Sequence, residues 1–422
     1  GIRGEHVDGG RFAGDALSAG AWGVLVDPVH AAELADRHGD VSSGRGWILS
    51  SSDPAASLQA LARAWRRTIG CPLVGITGST GKTSVKDITK ALLPRHVHAS
   101  PQNYNTEIGM PLALLSAPRD TEILVMEMAM RGLGQIEQLC EIAEPDVAAI
   151  TNIGPVHLEL LGTIEAIAAA KAEILQGLGD RGRAVIPEDA EALDPHLHDS
   201  LITFTFGAGG DVFVESSGKL PDGRGMAARI GTPHGEADFE FPFTEGYNLQ
   251  NALCAVAIGV ALDLDPAEMA ERTSRIEFSR LRGERVELSG GILLLNDCYN
   301  ANPTSMRAAL EHLAGQAARG RRIAILGGMA ELGPTGPEFH EELAALAREL
   351  GIASLIGVGE LARHYSPDRW VADAREAAEL AAAELESGDV ALIKGSRAVG
   401  LELVADQLRI ELGEAAGEGE GS

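Results

Sequence analysis

From Pro72 onward, short apolar, β-branched runs alternate with longer stretches whose apolar positions recur every three or four residues. PLVGIT (72–77), ILVMEM (123–128), DVAAITN (146–152) and RAVIP (183–187) have the length and composition of strands. TSVKDITKALL (83–93), GQIEQLCEIAE (134–144) and IEAIAAAKAEILQGL (164–178) have helical spacing. Repeated switching between the two patterns predicts βα units and a parallel, doubly wound sheet. Over 203–243 the pattern turns Gly-rich and alternating, in FTFGAGGDVFVE and ADFEFPF, which predicts antiparallel strands or an inserted hairpin. A helix is expected over 247–262. After RLRGERVEL (280–288) the βα alternation restarts, with strands at GILLLNDC, RIAILGG, SLIGVG and DVALIKG. The expected layout is an incomplete N-terminal unit over 1–70 with too few strands for a domain, a central α/β unit over 71–283 and a second α/β unit over 284–412. The Gly/Glu-rich tail 413–422 is expected to be disordered.

Composition narrows the function. With 61 acidic against 35 basic residues, the net charge of the 422-residue chain is −26. Such a surface repels nucleic acid and anionic lipid, so a phosphate ligand must be held by a local constellation. Four scattered cysteines (Cys71, Cys140, Cys254, Cys298) form no CxxC pair, which fits a reducing cytoplasm. No apolar run nears the roughly 18 residues that span a bilayer. Membrane insertion is not expected, and no secretory signal is visible. The chain begins at Gly1 rather than methionine, so the expectation is either a truncated chain or an unusually reduced N-terminal unit.

Residues 75–84 read GITGSTGKTS, between a predicted strand and a predicted helix. The pattern G-x-x-x-x-G-K-[ST] fails by one position, because Ile76 stands where its first glycine belongs. What remains still suits an anion. Glycines let backbone N–H groups converge, and the helix N-terminus adds partial positive charge. Residues 78–84 (Gly78, Ser79, Thr80, Gly81, Lys82, Thr83, Ser84) are therefore read as a nucleotide cradle, with Lys82 on the β- and γ-phosphates and the Thr83 hydroxyl on Mg2+. A Gly-rich turn with an incidental lysine is the weaker alternative.

Further runs sharpen this reading: NYNTEIGMPLALL (103–115), EMAMRGLGQIEQL (127–139), TNIGPVHLELLGT (151–163), AKAEI (170–174), YNLQNA (247–252), NDCYNANPTSM (296–306), MAELG (329–333) and KGSR (394–397). In order, they resemble the Mur ligases, three-domain α/β enzymes that form amide bonds with ATP in cytoplasmic peptidoglycan precursor synthesis. YNANP and MAELG point within that family to the branch joining D-alanyl-D-alanine to UDP-N-acetylmuramoyl-tripeptide. Two alternatives stand beside it: a ligase of the same family or the folylpolyglutamate type with another acceptor, and a non-catalytic nucleotide-binding scaffold. A monomer is expected.

Glu127 ends an apolar run at the carboxyl edge of a parallel sheet, where ligands bind, and is expected to hold a metal. The resemblance implies that Lys82, Glu127, His157 and Lys171 are catalytic, and that His157 and Lys171 serve a second Mg2+. On its own, His157 reads more readily as a capping or packing histidine, and Lys171 as a solvated lysine; the resemblance reverses both. The resemblance further implies a carbamate on Lys171, which requires a neutral amine. At an ordinary pKa of about 10.4, only ~1 lysine in 1,000 is neutral near pH 7.4, so burial or a metal must assist.

Asn248 and Asn251, spaced i, i+3, share a helix face that the resemblance turns toward adenine, and Asn248 also suits an N-cap. Arg282 matches an arginine that reaches ATP phosphate, and Asp297 an acid that holds the ribose. Asn300 and Asn302 lie by the entering dipeptide or cap the following helix, with Pro303 at its first position. Lys394 and Arg397 are candidates for the dipeptide carboxylate, and Asn103, Asn105 and Thr106 for the sugar nucleotide or the metal site. GIRGEHVDGGRFAGDAL is similar to a segment of the domain that holds the UDP-sugar in this family, so the resemblance makes 1–70 an incomplete UDP-sugar-binding domain. Two departures stand out: Gly10 where the family commonly has histidine, and Gly328 where it usually has aspartate.

Overall fold

The computed structural model describes residues 1–414 except 5, 39–45, 102 and 222. The first unit is small. Strands β1 (Gly23–Val26) and β2 (Trp47–Ser50) form a two-stranded parallel sheet over a core of Ala13, Val26 and Leu34. The helix Pro54–Ile69, assigned by sequence to this unit, docks on the next one instead. Ala62 joins the central core, and buried Arg66 donates to the carbonyls of Ala143, Cys71 and Glu144 and to Asp146.

The central unit is the expected parallel sheet. Its strands are β3 (Leu73–Thr77), β4 (Val97–Ala99), β5 (Ile123–Glu127), β6 (Val147–Ile150), β7 (Arg183–Pro187) and β8 (Ile202–Phe206). They run parallel in the order β4-β5-β3-β6-β7-β8. Separate apolar cores cover its two faces, which is why β3, β5 and β6 read as continuous apolar runs rather than alternating ones. The chain leaves β3 in one direction for β4 and β5 and returns on its other side as β6, so the crevice at the carboxyl end of β3 is a topological switch point.

The stretch 203–243 divides between two sheets. Residues 202–206 extend the parallel sheet as β8, contrary to the antiparallel expectation. The rest forms the antiparallel sheet β9 (Phe213–Lys219), β10 (Met226–Thr232) and β11 (Gly235–Phe241). Phe239, Phe241 and Phe243 stack successively and share one core with the helix Gly246–Ala261.

The last unit comprises β12 (Glu284–Leu288), β13 (Ile292–Asn296), β14 (Arg322–Gly327), β15 (Ser354–Val358), β16 (Arg369–Val371) and β17 (Val390–Lys394). Their order is β12-β13-β17-β14-β15-β16, with only β12 antiparallel to its neighbour. Gly413 and Glu414 are tied down, since Ser289 N–H donates to the Gly413 carbonyl at 2.8 Å. The remainder of the tail, 415–422, lies outside the described residues.

Candidate active site

The 78–84 loop leaves β3 at the switch point. Gly78 (φ 149°) and Gly81 (φ 78°) adopt backbone angles that favour glycine, and a side chain at either would collide with Thr151 or Asn251 respectively. The loop is pinned to the segment after β6. Thr80 N–H donates to Asn152 Oδ1 at 2.8 Å, Asn152 Nδ2 to Thr80 Oγ1 at 2.6 Å, and Gly154 N–H to Ser79 Oγ at 2.9 Å. Lys82 begins the helix Lys82–Leu92 with its Nζ 2.8 Å from the Gly78 carbonyl. Burial lowers its pKa, partly opposed by Glu127 and reinforced by Arg282.

Glu127 ends β5, buried, directly beside the loop. It accepts from Thr83 Oγ1 at 2.9 Å and Asn105 Nδ2 at 2.8 Å, while its N–H donates to Ser100 Oγ at 3.1 Å. Across the cleft, Arg282 Nη2 reaches Thr83 Oγ1 at 3.2 Å, and its guanidinium stacks 4.1 Å over the Tyr299 ring. Its buried Nε has no hydrogen-bond partner. The two larger units thus enclose a cavity of about 440 Å³, lined by the loop, Glu127, Asn152, Tyr247, Asn248, Asn251, Arg282, Asp297, Asn300, Asn302 and Lys394.

The helix Ile164–Gln176 carries Lys171 between Ile167 and Ile174, on the face turned into the core. The solvated reading is therefore excluded. Lys171 is 2% exposed and makes no hydrogen bond or ion pair with any described residue. Burial first, and then the charge of Lys82, push its pKa well below the usual lysine value. His157 (φ 54°) N-caps a single helical turn by its backbone but makes no side-chain cap. Its Nδ1 faces Glu331 of the C-terminal unit. Burial lowers its pKa against Glu331, and Lys171 and Lys82 lower it further.

These groups fit the species the sequence implied. Thr83 and Glu127 are hard oxygen donors beside a cationic loop, and the orphaned Arg282 Nε is a donor without an acceptor. Among the described residues no cluster of three or more His, Cys, Asp or Glu could enclose a metal alone. That suits Mg2+, which usually takes one or two protein ligands and completes its octahedron from phosphate and water.

Other expected residues fall differently. The N-cap of Gly246–Ala261 is Glu245, not Asn248. Asn248 instead donates to Glu245 Oε2 at 3.4 Å and accepts from Asn251 at 3.1 Å, which sets Asn251 against Gly81. Lys394, expected to face a substrate carboxylate, faces Asp297 at 2.5 Å and the Asn300 carbonyl at 3.1 Å. Asn302 does cap its helix, in a reciprocal box with Ser305 and with Pro303 next. Arg397 pairs with Glu402 at 3.2 Å, outside the cavity. Asn103 and Thr106 are exposed and do not line it, whereas Asn105 reaches the site through Glu127.

At both glycine departures a side chain would be crowded. A Cβ on Gly10 would lie 2.6 Å from His30 Nδ1, and one on Gly328 would collide with Leu361. Thr151, Asn152, Tyr247 and Glu331 were not singled out from sequence. The position of Thr151 and Asn152 directly after a predicted strand, beside the one bearing the loop, was the available signal. Tyr247 and Glu331 lie within YNLQNA and MAELG, which carried the resemblance without assigning either residue a role.

Comparison with known proteins agrees with this arrangement. The Mur ligase middle domain matches residues 76–259, and the Mur ligase glutamate ligase domain matches residues 281–397. The UDP-N-acetylmuramoyl-tripeptide--D-alanyl-D-alanine ligase of Bacillus subtilis is 33% identical, covering 96% of this chain and 89% of its own. Its Synechocystis counterpart is 34% identical, with 97% and 88% covered. Among solved structures, MurF from Acinetobacter baumannii superposes with a TM-score of 0.84 at 26% identity, covering 97% of this chain and 89% of that one. MurF ligase from Thermotoga maritima in complex with ADP does so with a TM-score of 0.82 at 30% identity, covering 97% and 93%.

Proposed function

The chain belongs to the Mur ligase family, and from that premise we propose that it is the ATP-dependent, ADP-forming ligase joining D-alanyl-D-alanine to UDP-N-acetylmuramoyl-tripeptide. The observation that carries this reading is the interdomain cavity, to which the central unit brings Lys82, Thr83 and Glu127, the connection into the C-terminal unit Arg282, and that unit Asp297. The tripeptide carboxylate attacks the γ-phosphorus of ATP; an acyl phosphate forms as the bond to ADP breaks. The dipeptide amine then attacks the acyl carbon, and inorganic phosphate leaves as the amide forms and the amine loses a proton. No protein nucleophile is required, so catalysis is positioning and charge stabilisation.

Lys82 and Arg282 balance charge on the transferring phosphoryl group. Residues 78–84 wrap the phosphates, Asn248 and Asn251 face adenine, and Asp297 meets the ribose, oriented by Lys394. Asn300 and Asn302 flank the entering dipeptide, with Arg397 for its carboxylate, and Asn103, Asn105 and Thr106 serve the sugar-nucleotide side. Two Mg2+ ions, held by Thr83 and Glu127 and by His157 and a carbamylated Lys171, supply neutralising charge when bound. An unpaired, buried Lys171 supports the carbamate, because burial lowers its pKa and so favours the neutral amine, which adds to CO2 with loss of a proton. Docking of the C-terminal unit keeps water from the acyl phosphate.

Both walls of the cavity come from one chain, so a monomer suffices. Four free cysteines and nucleotide substrates support a cytoplasmic location. Among the described residues, no helix is long and apolar enough to cross a membrane. The decisive assay is phosphate release from ATP with Mg2+. Release that requires both UDP-N-acetylmuramoyl-tripeptide and D-alanyl-D-alanine is expected; release with the sugar peptide and a different amine would assign another acceptor.

A further inference from the structure

Glu331 lies in the MAELG loop after β14, and none of the roles above uses it. Its backbone is left-handed (φ 64°), a conformation uncommon for glutamate, as is that of His157 (φ 54°), where histidine adopts it more readily. These two residues meet across the domain boundary. His157 Nδ1 lies 2.5 Å from Glu331 Oε2, Arg131 Nε lies 3.8 Å from Glu331 Oε1, and Glu159 N–H donates to the Glu331 carbonyl at 3.3 Å. One carboxylate therefore bridges the segments that follow β5 and β6.

The loop is braced from behind. Met329 N–H donates to buried His340 Nε2 at 2.9 Å, Ala330 N–H to Ser396 Oγ at 2.9 Å, and Ser396 N–H to the Gly328 carbonyl at 3.1 Å. Glu331 is thus presented by a hydrogen-bonded loop after β14 to the segment that follows β6. A carboxylate accepting from Nδ1–H selects one imidazole tautomer and leaves the Nε2 lone pair free, the arrangement that metal-binding histidines require.

We propose that Glu331 is an interdomain positioning residue for His157, orienting the ring and fixing its tautomer so that Nε2 is offered to the second Mg2+ only when the C-terminal unit is docked. The proposal rests on the reading of His157 as a ligand of that ion. It ties completion of the second metal site to docking of the C-terminal unit.

The test counts bound Mn2+ by electron paramagnetic resonance in the full chain with β,γ-methylene-ATP. The wild type is expected to bind two ions. Glu331→Ala should weaken the second by roughly 10- to 100-fold and leave the first unchanged, the usual effect of removing such a partner. kcat should fall in proportion, with KM for ATP within about threefold. Glu331→Gln, whose amide oxygen still accepts from Nδ1–H, should recover most of the loss. Glu331→Asn, tolerant of the left-handed backbone but a methylene shorter, repeats the test if the alanine variant folds poorly. Unchanged second-ion affinity in Glu331→Ala or Glu331→Asn overturns the proposal, whatever happens to the melting temperature. Two ions still bound to His157→Ala would instead overturn the ligand reading, so the two failures are distinguishable.

Discussion

Lys171 in the central unit and Lys394 in the C-terminal unit are each 2% exposed, and they are handled in opposite ways. Lys394 ends β17 against Asp297 and two backbone carbonyls, so its charge is answered where it stands. Lys171 sits in an Ala-rich helix against the apolar core, with no partner and with the charge of Lys82 adding to the cost of protonation. A buried paired lysine keeps its charge answered, whereas burial without a partner shifts the equilibrium toward the neutral amine. The neighbouring Glu173 shows how local the distinction is, because it accepts from the N–H groups of Gly134 and Glu137 at the start of the adjacent, earlier helix Gln135–Ala143.

The comparison is broken most directly at Lys171. Lys171→Gln should lower kcat by about 1,000-fold, close to 4 kcal/mol of barrier, with a folded chain and little change in KM for ATP. In 13C-bicarbonate the wild type should show a carbamate carbon resonance that the variant lacks. A fully active variant would reduce Lys171 to a packing residue.

At Lys394 the expected effect is on stability. Lys394→Met leaves Asp297 unpaired in a mostly buried position and should cost about 3 kcal/mol in urea unfolding. The double variant Lys394→Met/Asp297→Leu should recover most of that loss, since neither charge remains. Recovery of stability without recovery of activity would assign Asp297 to the nucleotide.

The smallest effect is expected at the other end of the same strand. Burial pushes the Asp389 carboxyl up, but hydrogen bonds from Arg321 and the Glu386 N–H outweigh it and hold the pKa below its ordinary value. A depressed carboxyl contributes stability above its unfolded pKa of about 3.9 and loses it as pH falls through the lower folded value. Asp389→Asn should therefore be destabilised by about 1–2 kcal/mol at pH 7. The gap should narrow below about pH 3.9, as measured by thermal unfolding across pH. A constant gap would mean that packing rather than charge anchors β17.

The parallel sheets were legible because strands covered on both faces must be apolar throughout, and the helices between them must be apolar on one side. The 78–84 loop was legible because Gly78, Gly81, Lys82 and Thr83 are adjacent in the chain. β8 was misread because Phe204 and Phe206 alternate with threonines at the sheet's edge, where one pattern serves both parallel and antiparallel pairing. Asn103, Asn105 and Thr106 looked equivalent, yet only Asn105 turns toward Glu127. Lys394 and Asp297, separated by nearly a hundred positions, gave no sign of being partners.

The chain by itself thus determined the fold class, the phosphate loop and the chemical types available, because these follow from local composition and spacing. Tertiary structure decided which charges are paired. It set Lys394 on Asp297, left Lys171 alone and brought Glu331 to His157. An electrostatic partner is chosen by distance and burial, and these are properties of strand order and domain docking rather than of position along the sequence.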